Sequence, residues 1–239
     1  MATRVELPGA AGTLPATPTA LIVEDCLYSA EALRLMCRAC GLRSRHAATL
    51  EAAERHLAIF RPAFAIVDIG LPDGSGVTLL NRIARDTVRP KVLAISADPA
   101  RLADPSIDGL ADARCEKPIA SALAFHAVLR SMGGLALAEP RRGAATRPDG
   151  EVLTLELARI RETLDGAAEP GSLELAAGRL EGLAAELGEW ALRSEARDGR
   201  LALADATRGT ALQIDRAGLV ARLSALILQI ENGQASATA

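Results

Sequence analysis

Three carboxylates, a hydroxyl and an ammonium stand in this 239-residue chain, each at the end of a short apolar run. Ala20-Leu-Ile-Val23 ends in Glu24-Asp25, Ala65-Ile-Val67 in Asp68, and Val92-Leu-Ala-Ile95 in Ser96; Ala113-Arg-Cys115 leads to Lys117-Pro118. Lys117 is one of two lysines, the other being Lys91, against 25 arginines. Crowded carboxylates repel one another and need a compensating cation. A hard divalent ion held by oxygens, with several waters retained, fits Mg²⁺. An aspartate beside such an ion and a lysine is equipped to attack an electrophilic phosphoryl group. The cations neutralise the phosphoryl oxygens and the hydroxyl donates a hydrogen bond to one of them.

That chemistry requires the five side chains to converge. Short apolar runs separated by stretches of helical spacing read as buried strands of a parallel α/β sheet. In such a sheet the residues just past the strands' carboxyl ends share one crevice. The spacing predicts helices over Ser29–Cys40, Leu50–Ile59, Val77–Ala84 and Ser121–Leu129. Between Pro99 and Pro105 a helix has room for no more than about two turns.

These residues and spacings resemble the receiver domain of two-component response regulators, over about Thr19–Met132. The acidic pair Glu24-Asp25 follows the first strand. Asp68-Ile-Gly-Leu-Pro-Asp-Gly-Ser-Gly76 carries proline four and glycine eight residues after the aspartate. Ser96-Ala97 matches the family's hydroxyl-plus-small pair, and Lys117-Pro118 its lysine-proline. The resemblance implies a doubly wound, five-stranded parallel sheet of flavodoxin-like type. It implies that Asp68 accepts a phosphoryl group from a histidine kinase or phosphotransfer protein. Asp25 and Asp68 would bind Mg²⁺ directly, Glu24 through water, and the Gly70 carbonyl would complete the protein's ligands. Lys117 would pair with the phosphoryl group, Ser96 would swing to hydrogen-bond it, and the Lys117-Pro118 bond would be cis. The family's aromatic switch residue, three positions before the lysine, is here Arg114. A guanidinium does not bury as a ring does without a charged partner, so output is expected by another route.

The rest of the chain reads differently. Residues 1–18, rich in Ala, Pro, Gly and Thr, form a leader, and 133–150 reads as a linker in which Arg141-Arg142 is solvated charge. Over 151–239, leucines at helical spacing predict a small helical domain. The stretch Arg200–Ile214 is open to either helix or strand. The apolar stripe Leu219, Leu223, Leu226, Ile227 and Ile230 would serve as the core of this domain or as a seam for self-association or a protein partner. This half holds 9 basic and 14 acidic residues, with its arginines scattered and no helix-turn-helix pattern. A DNA-binding regulator is therefore the second reading, a pseudo-receiver scaffold the third, and an output enzyme the last. None of His46, His56 and His126 lies there, which argues against a phosphotransfer bundle; His126 is expected to be partly exposed.

Cys37-x-x-Cys40 has no partner pair or histidine to complete a zinc site, and all four cysteines read as reduced, small apolar residues. Acidic neighbours should suppress a thiolate at Cys26. Aromatic residues make up 2% of the chain, too few for base stacking. No apolar run approaches the roughly 18–20 residues that span a bilayer, and the N-terminus lacks a signal-peptide layout. A cytoplasmic protein is expected.

Overall fold

The computed structural model describes residues 17–166, 170–207 and 216–237. Most of the expected leader, and residues 208–214 of the stretch with two readings, lie outside them. In chain order the first part runs β1 (Thr19–Val23), α1 (Leu27–Ala39), β2 (Arg43–Ala47), α2 (Leu50–Ile59), β3 (Phe64–Asp68), a small hairpin of β4 (Gly70–Leu71) and β5 (Gly74–Ser75), and α3 (Gly76–Ala84). It continues with β6 (Lys91–Ser96), a single helical turn α4 (Pro99–Leu102), a 3₁₀ turn (Pro105–Ile107), β7 (Ala113–Glu116) and α5 (Ala122–Ser131).

The five longer strands make one parallel sheet in the order β2-β1-β3-β6-β7. Successive residues alternate between two buried layers, as the pleat requires. Leu21, Val23, Ala65, Val67, Val92 and Ala94 pack toward α2, α3 and α4. Ala20, Ile22, Phe64, Ile66, Leu93 and Ile95 pack toward α1 and α5. Burial on both faces explains why β1, β3 and β6 read as continuous apolar runs.

Three expectations need correction or completion. No apolar run marked β2, because Arg43-Ser-Arg-His-Ala47 is a largely polar strand at the sheet edge, paired among the described residues with β1 alone. His126 is not partly exposed; it is buried on α5, and its Nε2 has no hydrogen-bond partner among the described residues. Over residues 200–207 the ambiguous stretch is helical, so the alternation Leu201-Ala-Leu203 does not mark a strand.

Residues 133–149 carry no helix or strand. Beyond them come α6 (Gly150–Gly166), α7 (Pro170–Leu187), α8 (Trp190–Thr207) and α9 (Arg216–Ala237). Leu153, Leu157, Ile160 and Leu164 of α6 repeat every three or four residues and so share one face. They bury against Leu173, Leu180 and Leu183 of α7 and against α8 and α9. Leu223, Leu226, Ile227 and Ile230 of the expected stripe turn into this core; the side chain of Leu219 lies outside the described residues. Cys26 and Tyr28, at the start of α1, are part of the same core. No helix among the described residues is long and apolar enough to cross a membrane.

Candidate functional site

Strand register brings the reactive side chains level. Val23 lies beside Val67, Val67 beside Ala94, and Ser96 beside Glu116. Glu24-Asp25, Asp68, Ser96 and Lys117 therefore fall at or just beyond the same edge, and all five are buried. The Lys117 ammonium donates to Asp68 Oδ2 at 2.7 Å and to Glu24 Oε2 at 2.8 Å. Asp68 Oδ1 accepts from the Gly70 N–H at 2.9 Å, and Glu24 Oε1 from the Cys26 N–H at 3.2 Å. The Lys117-Pro118 peptide is cis.

The loop after Asp68 is held by requirements its residue types meet. A Cβ at Gly76 would lie 2.2 Å from the Asp68 carbonyl oxygen, so only glycine lets α3 start there. Gly74 has φ +146°, in a region that favours glycine. Asp73 accepts from the free N–H groups of Leu50 and Glu51 at 2.9 and 3.1 Å, tying the loop to the first turn of α2.

One oxygen each from Glu24, Asp25 and Asp68 lie within 4.8 Å of one another. Three hard oxygen donors converging this closely suit a small divalent cation. The charge crowding is visible in the proton affinities. Burial pushes the Glu24 carboxyl up to about 8 against the pull of Lys117, with Asp68 and Asp25 adding repulsion. Burial also raises Asp25, while its bond to Arg179 opposes the rise. For Lys117 burial favours the neutral amine, but Asp68 and Glu24 outweigh it and hold the ammonium well above an ordinary lysine. Burial pushes the Cys26 thiol up further than its acidic neighbours Glu156 and Glu24 do, so the thiolate is suppressed mainly by desolvation.

Ser96 Oγ accepts from the Asp98 N–H at 3.1 Å. At the switch position, Arg114 donates to the Leu102 carbonyl and pairs with Asp108. Its side chain is 31% exposed, held at the surface by these partners.

Sequence reasoning missed the other wall of the site. A cavity of about 340 Å³ is lined by Glu24, Asp25, Asp68, Ser96 and Lys117 on one side, and by Glu174, Arg179, Glu181 and Arg200 of α7 and α8 on the other. Arg179 Nε donates to Asp25 Oδ2 at 2.7 Å. The one signal available was the spacing of Arg193, Arg197 and Arg200, which puts three arginines on one face of a helix. What that face meets was not readable.

The family model described as response regulator receiver domain matches residues 20–127. Among solved structures, a CheY-like response regulator receiver domain from Methylobacillus flagellatus is 24% identical, with 49% of this chain and 99% of that chain covered and a TM-score of 0.46. The signal receiver domain of a signal transduction histidine kinase from Syntrophus aciditrophicus is 25% identical, with 49% and 92% covered and a TM-score of 0.43. A sensor protein from Polaromonas sp. JS666 is 26% identical, with 48% and 98% covered and a TM-score of 0.44. No curated protein matches the chain.

Proposed function

Residues 20–127 being a response regulator receiver domain, we propose that Asp68 accepts a phosphoryl group from a histidine kinase or phosphotransfer protein and that residues 151–239 relay this state. On this reading the receiver spans 19–132, after a leader of 1–18 and before a linker of 133–150. The carrying observation is the Lys117 ammonium shared between Asp68 and Glu24 at 2.7 and 2.8 Å, inside a buried set of three carboxylates.

In the transfer, a carboxylate oxygen of Asp68 forms the new bond to phosphorus. The bond from phosphorus to the donor nitrogen breaks, and that nitrogen keeps the electron pair. Lys117 stays beside the phosphoryl oxygens and offsets their charge. Ser96 turns its hydroxyl from the Asp98 N–H toward one of those oxygens. The Gly70 N–H fixes the orientation of Asp68 beforehand, which lowers the entropy cost of a productive encounter. Asp25, Asp68 and the Gly70 carbonyl would hold Mg²⁺ directly and Glu24 through water; when bound, the ion neutralises phosphoryl charge. The domain is a signalling module, and the helical half is assigned protein contact or self-association.

Acetyl phosphate with Mg²⁺ should add one phosphoryl group to the intact mass of the wild-type chain. Asp68→Asn should remain unlabelled. Undiminished labelling of that variant overturns the assignment.

A further inference from the structure

The polar contacts from the bundle to the receiver end beside the site's own residues. Arg179 of α7 holds Asp25. Glu156 of α6, fully buried, accepts from the Leu27 N–H at 2.9 Å. On α8, Arg193 donates to the Ala97 carbonyl and to Glu116 at 2.9 Å, while Arg197 and Arg200 donate to Asp98 at 3.3 and 3.1 Å. Ala97 and Asp98 directly follow Ser96, and Glu116 directly precedes Lys117. Four guanidinium groups thus face the acidic edge on which the phosphoryl chemistry is proposed.

We infer that this α7–α8 face is a docking surface for the phosphorylation edge of a receiver, occupied by the chain's own, in which Arg179 takes the place of a bound cation at Asp25. The inference rests on the reading of Asp25 as a metal ligand. A guanidinium 2.7 Å from Asp25 Oδ2 and a divalent cation on the same carboxylate are like charges at contact distance, so each weakens the other's hold. Loading the metal site therefore acts on one end of the docking surface. The other end follows Ser96, because a hydroxyl that turns to the phosphoryl group leaves the Asp98 N–H, and Asp98 is where Arg197 and Arg200 bind. With Arg114 tied to Leu102 and Asp108, this arginine face supplies the route that the usual ring would have supplied. Cys26 and Tyr28 keep α1 seated in the bundle core, so the change is a local loosening of α7 and α8 rather than separation of the halves.

The test is a calorimetric Mg²⁺ titration of the full chain, paired with hydrogen–deuterium exchange. Arg179→Gln should bind Mg²⁺ at least about tenfold more tightly than wild type, since a charge-assisted bond no longer competes. Arg179→Lys keeps the charge and should stay near wild type, which separates competition from structural damage. Arg197→Gln, outside the cavity lining and partly exposed, should tighten binding by about twofold. Mg²⁺ should raise exchange over residues 193–200 in wild type, and Arg179→Gln should show that rise before metal is added. Equal, measurable Mg²⁺ affinity in wild type and Arg179→Gln overturns the docking inference and leaves the metal reading standing. Absence of Mg²⁺ binding in every variant overturns the metal reading, and the competition with it.

Discussion

The receiver and the helical bundle bury charge in different ways. At the receiver's edge, the Lys117 ammonium and both Asp68 oxygens have partners within hydrogen-bond distance. In the bundle, Glu156 and Glu181 are buried as well, yet one oxygen of each lacks a partner among the described residues. Their other oxygens reach Leu27 and Arg200. A buried polar atom left unpaired costs about 1–3 kcal/mol. Away from its pocket the receiver also buries polar atoms without a partner among the described residues, Ser29 Oγ, His56 Nδ1 and His126 Nε2, but these are neutral groups, whereas those of the bundle belong to carboxylates. The contrast lies between the site's own acidic and basic groups, which are paired, and the two buried carboxylates of the bundle, each paired through one oxygen.

Core truncation probes this contrast most severely. Ile66→Ala in the sheet and Leu180→Ala in the bundle should each cost about 2–5 kcal/mol, read by denaturant melts. Labelling of Asp68 by acetyl phosphate should survive Leu180→Ala under conditions where the chain stays folded, because the reacting groups all come from the receiver. Loss of labelling there would break the division of labour between the halves. Lys117→Met leaves Asp68 and Glu24 buried without their shared cation. The labelling rate should fall by about a hundredfold or more, by analogy with removal of a single charge-stabilising donor.

Acidity gives a smaller and sharper test. Burial lets Glu24 keep a proton up to about 8 and raises Asp25 as well, and Mg²⁺ is held better by the ionised carboxylates, so apparent affinity should rise with pH and level above about 8. For metal-free stability the sign is the reverse. The folded state keeps a proton that the unfolded chain releases near 4.5, so this contribution is full below 4.5 and is lost as pH rises through about 8. Urea melts at pH 5 and pH 8.5, each with and without Mg²⁺, would expose both trends. Smallest of all, Asp73→Ala removes acceptors from the start of α2 and should cost about 1 kcal/mol, seen as a shifted melting midpoint.

Much of the receiver was legible because its evidence is local. Strands buried on both faces must be apolar throughout, and the polar residue that ends each run marks the sheet edge. Pro72, Asp73, Gly74 and Gly76 are dictated by a tight turn that can be read one position at a time. The edge strand β2 was missed for the opposite reason: backbone pairing to β1, not side-chain pattern, makes Arg43–Ala47 a strand. His126 misled because its helix face is set by tertiary packing. In the bundle, helical spacing gave the existence of helices and their inward faces. It gave no hint that Arg179 lies opposite Asp25, since a contact across 154 positions leaves no periodic trace in the chain.

Tyr28 in the first turn of the receiver's α1 and Cys26 just before it belong by sequence to the receiver, yet their side chains sit among the leucines of α6 and α7. A fragment cut after α5 would present both to water and lose the Glu156 acceptor for the Leu27 N–H. The two halves therefore share a folding boundary that does not coincide with the peptide joining them. Thermodynamically, neither is a spare part of the other.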